Sequence, residues 1–144
     1  MRRVPILQRR KFVLGRDLDD DGVPDLGWLG VDGDDPRWND AEASTLCAQL
    51  DSSENHAKLD VQRLFVMLNA NFRPQPVKLP PLPPALRWHR AIDTSLPAGS
   101  NFAESGRDVR LDPQDRYIAS RAAPACSCAV GGGPAPLAER AQSG

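Results

Sequence analysis

The apolar positions of this chain fall in short blocks with no sustained helical period. Leu64-Phe-Val-Met-Leu68 is the clearest block. Apolar at every position, it reads as a strand buried on both faces, and Asn69-Ala-Asn71 then starts a turn. Other short strands are predicted over residues 10–14 (stopped by Gly15), 45–50, 87–93, at Val109 and Leu111, at Tyr117 and Ile118, and over 125–130. Residues 41–50 would also suit one short helix or a helical turn, and a strand from Thr45 to Leu50 is preferred. After the turn, residues 76–79 are expected to pair back as a strand end. Residues 17–40, rich in Asp and Gly with Trp28 and Trp38 embedded, read as loop. The proline run 79–84 reads as an extended loop, because proline gives a ladder no donor. Strands at irregular spacing between Pro/Gly/Asp-rich loops predict an all-β fold: an antiparallel β-sandwich with at most one short helix. In this reading residues 1–14 are a connector, 15–130 the sandwich and 131–144 a flexible tail.

With 144 residues the chain has room for one compact domain, and its 14 prolines and 11 glycines cut the core into short pieces. A net charge of −1 gives no electrostatic case for nucleic acid or an anionic membrane as partner. The longest apolar run, 64–70, is too short to span a bilayer. The basic N-terminus lacks the apolar length and cleavage site of a secretory signal, so a cytoplasmic location is expected. Cys47 stands alone and Cys126 and Cys128 form C-x-C, which is no disulfide framework. A zinc site would need a fourth ligand, and His56 and His89 stand at no ligand spacing. The two late cysteines are read as small apolar strand residues.

Chemistry is suggested most by Asp17-Leu-Asp19-Asp-Asp21-Gly22-Val-Pro-Asp25. Carboxylates of Asp17, Asp19, Asp21 and Asp25 at such spacing can converge on calcium, with Gly22 permitting the sharp turn. At the twelfth position, however, an EF-hand requires Glu and this chain has Trp28. The alternative is a solvated acidic loop. Trp28, Trp38 and Trp88 offer flat rings for stacking on a pyranose, or anchors in a core or interface, the reading preferred here. Lys78-x-x-Pro81-x-x-Pro84 fits a polyproline docking pattern, one that arises in any proline-rich loop. No G-x-S-x-G, H-E-x-x-H or glycine-rich phosphate loop is present, so no catalytic residue is assigned.

Several segments match one family in order. Val4-Pro5-Ile6-Leu7 is followed by Arg9-Arg-Lys-Phe12 and Gly15. Next come Asp25-Leu-Gly-Trp28, Val31-Asp-Gly33 and Trp38-Asn39, then Leu64-Phe-Val-Met-Leu-Asn-Ala70. Val77-Lys-Leu-Pro80, Trp88 and Asp93-Thr94 complete the series. Over residues 4–94 this resembles the C-terminal region of bacterial glycogen-debranching enzymes of the isoamylase type, in the α-amylase superfamily. The end departs from the pattern, since Arg121 is followed by Ala122 where the family has Arg-Ser.

The resemblance implies the C-terminal β-sandwich of a hydrolase that cleaves α-1,6 branch points in glycogen or related α-glucans. Its catalytic (β/α)8 barrel lies upstream and is the partner on which this domain packs. A barrel takes ~250 residues and cannot lie within this chain. The chain is therefore expected to be an accessory, stabilising domain without activity of its own, touching α-glucan at most through Trp28 or Trp38. Two rivals remain: a free-standing carbohydrate-binding module, and a calcium-stabilised interaction domain read through its proline-rich loop.

Overall fold

In a computed structural model the protein is described over residues 12–52, 63–103, 109–120 and 126–134. The described residues form eight strands and no helix: β1 (Leu26–Leu29), β2 (Thr45–Asp51), β3 (Arg63–Asn69), β4 (Gln75–Lys78), β5 (Leu86–Asp93), β6 (Val109–Arg110), β7 (Arg116–Ala119) and β8 (Cys126–Pro134). Every pairing is antiparallel. A six-stranded sheet runs β1-β2-β3-β8-β5-β6, and a two-stranded sheet pairs β4 with β7. The two close on each other as an all-β sandwich.

The core is the seam between them. Cys47 from β2, Phe65 and Met67 from β3 and Trp88 from β5 meet Val77 of β4 and Ala119 of β7, with Leu79 and Leu111 filling in. Alternation explains the choice, because successive side chains of a strand point to opposite faces. The Phe65 and Trp88 rings pack tilted with centroids 6.2 Å apart, and the Trp88 indole N–H donates to the Pro80 carbonyl at 2.9 Å. The Asn69 amide donates to the Ala119 carbonyl at 2.8 Å and accepts from the Thr45 hydroxyl at 3.0 Å, tying β3 to β7 and β2.

Several expectations change. No strand forms over Phe12–Leu14, the described part of the predicted 10–14 strand. The Leu14 N–H, and that of Gly15 after it, turn to the Asp25 carboxylate rather than to a ladder. Within the supposed loop 17–40 lies β1, because its residues find β2 as a partner. Residues 75–78 do not pair back on β3, whose two edges are already taken by β2 and β8; they pair with β7. The strand expected to stop at Val130 runs on to Pro134. Gly131 and Gly132 are held between β3 and β5, and Gly133 pairs with β5, instead of starting a free tail. Finally, β3 is not buried evenly on both faces: Phe65 has no exposure, while Leu68 is 42% exposed.

Candidate functional site

The acidic loop is built by its own backbone. The Asp17 carboxylate accepts from Gly22 N at 2.8 Å and from Asp19 N at 3.3 Å, and Asp21 accepts from Val23 N at 2.8 Å. Gly22, at φ +83°, supplies the left-handed turn that brings its N–H back to Asp17. Partial desolvation acts upward on the Asp17 carboxyl. The N–H groups of Gly22, Asp19, Asp21 and Asp20 outweigh it and hold the carboxyl below its ordinary range.

Carboxylate oxygens of Asp17, Asp19 and Asp21 lie within 4.8 Å of one another. Asp25 is not brought into this group. It is fully buried, and its carboxylate accepts from Leu14 N at 3.0 Å, Gly15 N at 2.7 Å and Arg16 N at 3.2 Å. Asp25 thus pins the incoming chain to the start of β1.

Asp21 also has a cationic partner. Arg63, on β3 and buried, donates from Nη2 to Asp21 Oδ2 at 2.6 Å and from Nε to Asp51 Oδ1 at 3.1 Å. Asp51 lies directly opposite Arg63 in the β2–β3 register. A third contact, from Nη1 to the Pro81 carbonyl at 3.4 Å, draws in the proline-rich segment. One guanidinium therefore ties β2, the acidic loop and residues 79–84 together at one end of the sandwich. Sequence reading missed it, because Arg63 gains meaning only when β2 and β3 are in register. The same contacts make the Lys78–Pro84 stretch a wall of the core, with its Pro80 and Pro81 carbonyls engaged.

The three tryptophans separate. Trp88 is core. Trp28 and Trp38, at 44% and 65% exposure, pack edge to face with ring centroids 6.1 Å apart and planes at 72°. The β1–β2 connection also borders a cleft of about 220 Å³, lined by Arg37, Asp40, Glu42, Asn71 and Gln75 among others and by neither tryptophan. His89 is buried, with Nδ1 3.0 Å from the Arg87 carbonyl; His56 lies outside the described residues. Burial pushes the Cys47 thiol up to about 12, so it is neither nucleophile nor ligand at neutral pH. Cys126 and Cys128 stand at alternate positions of β8.

The outer face of the six-stranded sheet is the other feature the sequence did not announce as a surface. Across the strands Trp28, Ala48 and Val66 stand in one row, continued through position 129 of β8 to Ile92. A parallel row runs Leu26–Leu50–Leu64. The signal was the unbroken apolar block in β3, whose even positions had to face something.

Residues 27–124, from β1 through β7, match the family described as isoamylase 1-3, C-terminal. Isoamylase 2, chloroplastic, of Arabidopsis thaliana is 30% identical over 117 residues, which cover 75% of this chain and 12% of the relative. Its counterpart in Oryza sativa subsp. japonica is 31% identical over 115 residues, 78% of this chain and 13% of the relative. The chain thus spans about an eighth of the length of these relatives.

Proposed function

The chain belongs to the isoamylase 1-3 C-terminal family, and from that premise we propose that it serves as the non-catalytic C-terminal domain of an α-1,6-glucan hydrolase that debranches glycogen or a related α-glucan. Its partner is the catalytic barrel of the same enzyme, which it stabilises. The observation that carries the reading is the extent of the match. It takes in strands of both sheets and the core between them, yet the chain equals only 12–13% of each relative. Glycoside hydrolysis needs two carboxyl groups held across a cleft about 5–9.5 Å apart, whereas Asp17 and Asp21 hold their own loop, Asp25 holds the backbone of residues 14–16 and Asp51 is paired with Arg63.

Pure chain incubated with glycogen, pullulan or maltodextrin should release no reducing sugar. Turnover abolished by one acidic substitution within these residues would overturn the reading. Removing this domain from the full-length enzyme should lower that enzyme's melting temperature and its activity together.

A carbohydrate-binding module is favoured by one observation, the exposed Trp28–Trp38 pair. Saturable retardation of the chain in a glycogen-containing native gel, lost in Trp38→Ala, would select it over a purely stabilising role.

A further inference from the structure

We propose that the outer face of the six-stranded sheet, centred on Trp28, Val66, Leu68 and Ile92, is the surface that docks on the catalytic portion of the parent enzyme; this rests on the accessory-domain reading above. An antiparallel sheet with one face in water alternates apolar inside and polar outside. In β3 the alternation is missing, and in β2 it is reversed, with Thr45, Gln49 and Asp51 on the inner side. The residues pointing away from the core are Leu46, Ala48 and Leu50 on β2, and Leu64, Val66 and Leu68 on β3. Ile92, in the same row as Val66, is 43% exposed, as Leu68 and Trp28 also are to a similar degree. Apolar residues of one face thus stand on β1, β2, β3 and β5 in aligned rows, the mark of an interaction surface rather than of scattered exposure.

The opposite side of the sandwich is different in kind. On the outer face of the two-stranded sheet, Lys78 stands opposite Arg116 and Pro76 opposite Ile118. Among the described residues, charge on the six-stranded sheet's outer face is confined to its β5–β6 end, where Arg87, His89 and Arg110 stand, and the apolar residues gather toward β1, β2 and β3.

The occupant follows from where the chain comes in. Asp25 holds the N–H groups of Leu14, Gly15 and Arg16 at the start of β1. The incoming polypeptide is therefore fixed at the β1 edge of the six-stranded sheet, the edge that carries Trp28. The matched stretch is only 12–13% of each relative, and the family is a C-terminal one. What precedes the domain is delivered to this edge by a short tether, at high effective concentration. The Trp28–Trp38 pair suits such an anchor. With planes at 72° it presents a knob of one ring face and one ring edge, not the single flat platform on which a pyranose stacks, and tryptophan is enriched at interface hot spots.

Accessibility to a maleimide tests this without disturbing the core. Single cysteines are placed at Leu68→Cys and Ile92→Cys on the proposed face and at Ile118→Cys on the other, with Cys126 and Cys128 replaced by serine. Each is labelled in the isolated chain, once circular dichroism shows it folded, and in the full-length enzyme. Labelling at Leu68→Cys and Ile92→Cys should slow at least tenfold in the full-length enzyme, with Ile118→Cys unchanged. Protection of Ile118→Cys alone would move docking to the other sheet, overturning this proposal while the accessory-domain reading stands. No protection at any of the three would overturn both. Protection at Leu68→Cys already present in the isolated chain and lost on dilution would assign the face to a second copy, which also overturns it.

Discussion

Strand β3 separates the two faces of the sandwich, and truncating one residue on each face measures the difference. Phe65 has no exposure and lies between the sheets, 6.2 Å from Trp88 by ring centroid. Phe65→Ala removes a large enclosed side chain and leaves a cavity that the two sheets cannot fully close, a loss of about 3–5 kcal/mol. Leu68, three positions on, is 42% exposed. Full burial of a leucine is worth about 1.5–3 kcal/mol, and here much of the side chain is already in water. Its removal opens no closed void, so Leu68→Ala should cost about 1 kcal/mol in the isolated chain. At roughly 3–4 °C per kcal/mol for a domain of this size, the melting temperature should fall by about 10–20 °C for Phe65→Ala and about 3–4 °C for Leu68→Ala.

The assay is thermal and urea unfolding of the 144-residue chain, followed by far-UV circular dichroism and by tryptophan fluorescence. The urea slope should stay unchanged, since the surface exposed on unfolding is nearly the same. Equal losses at the two positions would refute the reasoning, as would a larger loss at Leu68. A slip of one residue exchanges the faces of a strand, so either result would mean that the β2–β3 register is wrong.

Asp25→Ala leaves the N–H groups of Leu14, Gly15 and Arg16 without their acceptor. Each unmet donor costs about 1–3 kcal/mol when buried, less where water reaches it, so a loss of about 2–4 kcal/mol and faster proteolysis ahead of β1 are expected; a loss under about 0.5 kcal/mol would refute the anchoring role. Millimolar calcium should leave the melting temperature where chelator puts it, because Asp21 is paired with Arg63 and Asp25 faces the backbone. A calcium-selective rise, absent with magnesium and lost in Asp19→Asn, would instead make the acidic loop a metal site; binding at a hundredfold over Kd would add about 2.7 kcal/mol. The Cys47 thiol, pushed up to about 12 by burial, should resist iodoacetamide at pH 8 until the domain unfolds, which mass mapping of the labelled site will read; rapid native-state alkylation there would place β2 wrongly.

Local composition was enough to determine the all-β class. Proline and glycine cut the chain too often for helices to propagate, and the strands predicted at 45–50, 64–68 and 87–93 fall within β2, β3 and β5. The order of short motifs likewise pointed to the family to which the chain belongs. Pairing was not legible, because a strand's pattern records that it has a buried face and not which neighbour supplies it. Thus residues 75–78 pair with β7 rather than β3, and Gly131 and Gly132, with no side chains to mark a strand, are held by ladders on both sides. The acidic segment invited a metal reading from its spacing alone. Only the fold brought in Arg63 from the far side of the β2–β3 connection and turned Asp25 onto the backbone of residues 14–16. The sequence also determined that β3 would be apolar on both sides. Tertiary structure decided which side meets the core and which is left for a partner, because one sheet can cover only one face of another.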